Sequence, residues 1–301
     1  MRMTENPFSA HYRDQLDNEL IAAALAGSRA ALEALVKRHQ HYIYNVAHKL
    51  VLSPDDAQDI TQEVLVIMIT KLGQFQRQSS FRTWLYRITF NHFLKMKRYW
   101  LEEVVTDFDT MAKQLDAIEN HDLTPLEQAE MRTMIEEAKL GCMNAMLLCL
   151  DRGQRLVFVL GEIFGVDHLL GAELLGIRPD NFRQRLSRAR KDMYQFMNRK
   201  CGLLNEANPC RCATKTKGFI KANWVDPATM KFNTHYLQRV REVAAQSAAN
   251  LETLADAQYA ELFRDHPFQE RDHVRKLFKN LLVDERIVTT FRLREDEQQL
   301  G

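Results

Sequence analysis

The sequence predicts an all-α protein: two helical domains, 17–100 and 124–200, joined by a flexible acidic linker, 101–123, and followed by a helical C-terminal extension, 201–301. Three observations carry this. Apolar residues recur at the three- and four-residue spacing that gives a helix one buried face. Helix-start signals stand where those runs begin, with a capping hydroxyl followed by proline at Ser53-Pro54 and Thr124-Pro125. Charge is segregated in blocks that the formal net charge of +1 conceals. Lys71 to Arg98 holds seven basic residues and no acidic one, Leu101 to Glu137 eleven acidic and two basic, and Arg178 to Lys200 eight basic and two acidic. Such blocks predict several polyanion-facing surfaces.

A chain of 301 residues has room for two or three domains. No apolar run reaches the length of a membrane span, and Met1 to Ala10 is too polar for a secretory signal. The expectation is a cytoplasmic protein with no membrane insertion. Five cysteines without a signal sequence favour free thiols or a metal site over a disulfide framework.

The first ordered segment is expected near Asp17, with Leu20, Ile21 and Leu25 at helical spacing and Gly27-Ser28 as a break and new cap. A second helix is expected over Ser28 to Leu52, and its histidines, His39, His41 and His48, are read as helix-surface or helix-packing residues rather than ligands. Ser53-Pro54-Asp55-Asp56 starts a third, with acids at the positive end of the helix dipole. Its Ile60, Val64, Ile67 and Met68 point inward, and Asp55, Asp59, Gln62 and Glu63 share an acidic outer face suited to a basic partner. Lys71 to Ser80 is a turn-rich loop. The helix after it, Phe81 to Trp100, buries Phe81, Trp84, Leu85, Ile88 and Leu94 and shows a basic stripe of Arg87, Asn91, Lys95 and Arg98. A basic stripe beside an aromatic-bearing loop suits single-stranded nucleic acid. Leu101 to Leu123 shows no sustained period, hence the flexible linker.

A single helix is expected from Thr124 to Cys149, with Cys142 and Cys149 as small core residues, and another from Arg155 to Phe164. Asp167 to Leu175, a turn at Gly176 and a basic helix over Pro179 to Asn198 form a helix-turn-helix pattern. Phe182, Leu186, Ala189 and Met193 make the buried stripe of the basic helix. Asn181, Gln184, Arg185 and Arg188 face the other way and have the chemistry to read base edges in a major groove. Arg183 and Arg190 flank them toward phosphates.

These residues carry a resemblance. Asp56-Ala57-Gln58-Asp59-Ile60-Thr61-Gln62-Glu63-Val64 followed by Ser79-Ser80-Phe81-Arg82-Thr83-Trp84-Leu85-Tyr86-Arg87-Ile88 resembles the second conserved region of bacterial sigma factors of the sigma-70 family, extracytoplasmic-function class. Leu174-Leu175-Gly176-Ile177 and Arg183-Gln184-Arg185-Leu186-Ser187-Arg188-Ala189-Arg190 resemble its fourth region. The resemblance covers roughly 17–199. It implies that Asp55, Asp56, Asp59, Gln62 and Glu63 dock the clamp coiled coil of core RNA polymerase. It implies that the loop Gly73 to Ser80 captures a flipped base, at a cost of a few kcal/mol, beside Arg82, Arg87, Asn91 and Lys95 facing the minus-ten promoter element. Arg178, Asn181, Arg183, Arg185 and Arg188 then lie on the helix that reads the minus-thirty-five element. The implied linker threads the polymerase near the RNA exit path. The chain departs from the family pattern at Val166 to Glu173 and at Pro179-Asp180, which bears on the base code and leaves the fold intact.

Residues 201–301 extend beyond the compact family's usual end. Cys201, Cys210 and Cys212 cluster there and could hold zinc with a histidine such as His235, His266 or His273 as fourth ligand, act as a dithiol switch, or simply form a structural cysteine turn. Lys215, Lys217 and Lys221 follow as a basic patch, and Thr234 to Tyr259 reads as helix. The extension carries no nucleotide loop, paired catalytic carboxylates or nucleophile triad, and regulation is its expected role, with an anti-sigma factor as a candidate partner. The leading reading is therefore a non-catalytic promoter-specificity subunit. The competing readings are a helix-turn-helix regulator acting without polymerase, which would need neither the docking face nor the melting loop, and a metal- or thiol-responsive regulator.

Overall fold

The computed structural model describes residues 6–9, 11–98 and 100–227. Among these, twelve α-helices carry the fold, and the only strand-like pairing is an isolated bridge between Cys201 and Cys210.

The first domain is built on local caps. Helices α1 (Asp14–Leu25) and α2 (Arg29–Val51) are separated by Gly27 at φ 96°, and the Ser28 hydroxyl accepts the Ala31 amide. Ser53 does the same for Asp56 at the start of α3 (Pro54–Lys71), and Ser80 for Thr83 at the start of α4 (Phe81–Lys95). Leu52 closes α2 in the left-handed region, at φ 62°, a place usually given to glycine. Its side chain is buried, so packing offsets the strained backbone. Of the two readings of the α2 histidines, packing holds: all three are interior. His39 and Tyr12 converge on buried Asp17, whose carboxylate takes Tyr12 Oη at 2.7 Å and Arg38 Nε at 2.8 Å. Burial alone would push the Asp17 carboxyl up, but hydrogen bonds from His39, Tyr12 and Arg38 hold it below the usual carboxylate range. A depressed native pKa gives stability that is present above the unfolded value and lost as pH falls through the native one.

Three inward assignments are corrected, Ile88 of α4 being only half-buried. Leu94 is exposed, and α4 buries Phe81, Leu85, Tyr86, Thr89, Phe90 and Phe93 instead. Ile67 is half-buried on the outer side of α3. Helix α4 also stops at Lys95 and not at Trp100, because Arg152 Nη1 binds the carbonyls of Phe93 (2.9 Å) and Met96 (2.7 Å) at its end.

The linker is the largest correction. It is ordered as α5 (Trp100–Val104) and α6 (Phe108–Ala117), the latter capped by Asp107 on the Thr110 amide. Its acids find cations from distant sequence. Glu102, buried, binds Arg152 (Nη2–Oε2 2.6 Å) and Arg155 (Nη1–Oε1 2.9 Å), while Asp116 pairs with Lys200 at 2.7 Å and Glu119 with Lys221 at 3.1 Å. Two helices this short show no sustained period, and their partners lie far along the chain, so local sequence reads as loop.

The second domain begins at α7 (Pro125–Glu130) with the Thr124–Glu127 capping box. The expected single helix is broken at Met131, and α8 (Arg132–Leu148) follows. Asp151 caps α9 (Arg152–Phe158), which relaxes into a π-turn over Val159–Ile163. Asp167 caps α10 (His168–Leu175) through two amides, Gly176 at φ 63° makes the turn, and α11 (Pro179–Lys200) is the long basic helix, buried at Phe182, Ala189 and Met193 as its stripe predicted. A Cβ at Gly171 would stand 2.5 Å from Phe182 Cζ, so the helix-turn-helix closes through a glycine contact. Gly171→Ala is expected to lose about 1–3 kcal/mol to overpacking, despite alanine's better helix propensity, as a lower midpoint in chemical denaturation. An unchanged midpoint would show that α10 can shift away from Phe182.

The two domains pack against each other through one continuous apolar core. The extension's described part ends in α12 (Cys212–Lys221) against α8. The expected helix over Thr234 to Tyr259, and His235, His266 and His273, lie outside the described residues.

Candidate partner and nucleic-acid interfaces

On the outer side of α3, Asp59, Gln62, Glu63, Val66 and Ile67 line an open groove of about 440 Å³. The i, i+3, i+4 rule places them on one face. Asp55 is exposed beside the groove and Asp56 is half-buried. Burial pushes the Asp56 carboxyl up, and the charges of Asp59, Asp55 and Glu102 add to this against a Ser53 hydrogen bond. Glu63 reaches His92 of α4 at 2.8 Å. Sequence reasoning found the acids but missed the apolar floor, Val66 and Ile67. Its signal was present: both continue the Asp59–Glu63 face one turn further.

Arg87, Asn91 and Lys95 are exposed along α4, as the stripe predicted, and Arg98 is exposed beyond the helix end. In the preceding loop, Phe75 packs on Phe81 and Trp84 with ring centroids 5.5 Å away from each, and Arg77 sits at φ 56°. Two residues of the stripe region face the rest of the protein. Thr83 Oγ1 donates to Glu173 Oε1 of α10 at 2.9 Å, and Arg87 Nε donates to the Glu173 carbonyl at 2.9 Å. Arg82 lies elsewhere: it binds the carbonyls of Pro7 and Ser9 at 3.1 Å each and Asp14 at 3.2 Å.

Arg178, at the N-cap of α11, and Asn181, Arg183, Gln184, Arg185 and Arg188 along it are all exposed, with Arg183 on the flank and the others turned away from the buried stripe. Arg183 pairs with Asp180 and approaches His168 at 3.4 Å. Arg190 is not a free phosphate contact; it pairs with buried Glu162 of the π-turn. The expected basic patch of the extension is likewise used internally. Lys215 is buried and donates to the Leu115 carbonyl at 2.8 Å and to that of Ile118, and Lys217 pairs with Glu127 at 2.8 Å.

All five cysteines are free thiols. Cys149 is buried and Cys142 packs against the core, as expected, and Cys142 also lines a small cavity with Cys201, Cys210 and Cys212. Burial pushes all of these thiols up, Cys149 and Cys212 to about 12. Among the described residues no group of three or more His, Cys, Asp or Glu is placed so that it could hold a metal ion, and no helix is long and apolar enough to cross a membrane.

Comparison with known proteins matches both parts of this arrangement. The Sigma-70 region 2 family matches residues 35–99 and the Sigma-70, region 4 family matches residues 140–193. The RNA polymerase sigma factor CnrH of Cupriavidus metallidurans is 30% identical over 191 residues, which is 62% of this chain and 96% of that relative. The RNA polymerase sigma-H factor of Pseudomonas aeruginosa is 28% identical over 180 residues, 58% of this chain and 90% of that relative. The ECF RNA polymerase sigma factor SigM of Mycobacterium tuberculosis H37Rv is 27% identical over 184 residues, 61% of this chain and 86% of that relative.

Proposed function

Because the chain belongs to the extracytoplasmic-function class of the sigma-70 family of RNA polymerase sigma factors, binding core polymerase and directing promoter recognition and transcription initiation, we propose how its surfaces divide that work. The α3 groove docks the clamp coiled coil of the polymerase. The loop Gly73 to Ser80 and the α4 face of Arg87, Asn91 and Lys95 take the melted minus-ten element. The outer face of α11 reads the minus-thirty-five element as duplex. The chain has no catalytic activity of its own in this reading, and it acts in the cytoplasm, where polymerase and promoter are. An anti-sigma factor would have to cover the same faces.

The observation that carries this is the placement of an acidic groove with an apolar floor on α3 beside basic faces on α4 and α11. An acidic face repels DNA and suits a basic protein helix, while the other two suit phosphates and bases.

The two DNA faces are held together by the Thr83–Glu173 and Arg87–Glu173 bonds. Elements named for positions minus ten and minus thirty-five are separated by roughly 85 Å of duplex at about 3.4 Å per base pair. Helix α11 is next to α10 and, at 22 residues, about 33 Å long. The α4–α10 contact therefore opens when both elements are engaged.

Run-off transcription with core polymerase and a promoter library tests the reading. Arg185→Ala or Arg188→Ala is expected to weaken duplex binding by roughly 1–3 kcal/mol if the lost contact is bidentate, leaving core binding unchanged. Failure of the full chain and of a form truncated after Lys200 to bind core polymerase would overturn it.

A further inference from the structure

The chain turns back after the recognition helix. The Gly202 amide donates to the Cys210 carbonyl at 2.9 Å, and α12 then lies along α8 and the second half of the linker. Lys215 of α12 is only 5% exposed, and its ammonium donates to the Leu115 carbonyl at 2.8 Å and to that of Ile118. Those carbonyls stand at the C-terminal end of α6, where a cation both caps the helix and meets the negative end of its dipole. The His121 amide donates to the Thr214 carbonyl at 2.8 Å. A Cβ at Gly218 would stand 2.6 Å from Ile118 Cγ2 and 2.7 Å from the Glu119 carbonyl oxygen, so α12 lies against the linker backbone itself. The pairs Lys221–Glu119 and Lys200–Asp116 are largely solvated, and such pairs hold little. The grip rests on Lys215 and on the close approach at Gly218.

We propose that α12 is an autoinhibitory clasp: by holding the linker folded, it keeps the minus-ten and minus-thirty-five faces closed on each other, in the form where Glu173 occupies Thr83 and Arg87. The inference rests on the division of surfaces proposed above and adds what controls their separation.

Lengths decide the matter. The two elements lie about 85 Å apart on duplex, and the whole of α11 covers about 33 Å of that. About 50 Å must come from the chain between the domains. While α12 holds α6, only residues 96–107 can extend, and even with α5 unfolded and Glu102 released they span at most about 43 Å. With residues 96–123 all free the reach is about 95 Å. The clasp must therefore let go before one promoter can be bridged, and a partner that needs the open form meets it at an affinity reduced by the closed fraction.

The test uses the full chain in two variants that touch neither DNA face. Gly218→Leu drives a side chain into Ile118 and Glu119. Lys215→Met keeps the apolar stem and removes the cap on α6. Small-angle scattering is expected to give both a larger radius of gyration than the parent. Hydrogen exchange is expected to quicken at the amides of α6 and His121 while α3, α4 and α11 keep their protection. Core polymerase is expected to bind both variants about tenfold more tightly, with binding to a duplex carrying the minus-thirty-five element alone unchanged. Two variants as compact as the parent, or opened chains that bind core no more tightly, would each overturn the proposal. Failure of every chain, parent included, to bind core would strike the function proposed above, and the clasp would then stand or fall on scattering and exchange alone. Exchange reads each helix separately, so a variant that unfolds is recognised as such, and Lys215→Met, which introduces no clash, then decides.

Discussion

Lysine at both Asp59 and Glu63 is expected to weaken binding to core RNA polymerase on the order of 100-fold or more, because like charges set against a basic partner cost several kcal/mol. Both side chains are exposed on the α3 groove, so the substitution removes no core contact. Glu63 does pair with His92, and Glu63→Gln isolates the loss of that pair from the reversal of charge. Exposed pairs contribute at most about 1 kcal/mol, so the neutral variant should stay close to the parent in stability. Binding of duplex promoter DNA by the reversed variant should be unchanged or slightly stronger, since the acidic face repels phosphates. Anisotropy titrations against core polymerase and against duplex DNA separate the two effects. Unchanged core affinity would mean that the groove is not the docking face. Replacing Ile67 with serine probes the apolar floor: a loss there with the acids intact would show that the groove is read by shape as well as charge.

The parts of this architecture that sequence made legible are those whose causes are local. Ser28, Ser53, Thr124 and Asp167 each bond an amide two or three residues away, so the starts of α2, α3, α7 and α10 can be read without knowing the fold. The stripe on α11 was legible for the same reason. What sequence hid depends on partners far along the chain. The acids of 101–123 looked like a solvated tether because their cations sit at Arg152, Arg155, Lys200 and Lys221. Arg190 looked free because Glu162 lies on a π-turn, where helical spacing fails as a guide. Cys142 was legible as a core residue, but its nearness to Cys201, Cys210 and Cys212 was not, because they lie beyond the recognition helix. The candidate site divides the same way. Its acidic and basic faces follow helical period, whereas the engagement of Thr83 and Arg87 by Glu173 is a contact between domains that no local pattern announces.

Glu102→Ala is expected to be the most destabilising single substitution among the charged residues of the interdomain contact. Glu102 is 4% exposed and Arg155 3%, and the pair is backed by Arg155 Nη1 on the Leu50 carbonyl at 2.6 Å. Burial pushes the Arg155 guanidinium pKa down and the Glu102 charge holds it up, so removing the carboxylate leaves a buried cation without its counterion. Loss of one partner from such a pair costs about 3–5 kcal/mol, a large share of the 5–15 kcal/mol typical of a folded domain. For a chain of this size that corresponds to a Tm lower by roughly 10 °C. Glu102→Gln keeps a carbonyl oxygen for one arginine and should lose about half as much, in line with the 1.5–3 kcal/mol of a charge-assisted hydrogen bond. The substitution also releases Arg152 from α5, and Arg152 caps the end of α4 through Phe93 and Met96. Proteolysis should therefore quicken between Met96 and Thr124 before either helical domain is cut. A Tm unchanged in both variants would mean that the Glu102 cluster only bridges two domains already held by their shared apolar core, and that opening for the promoter is limited elsewhere.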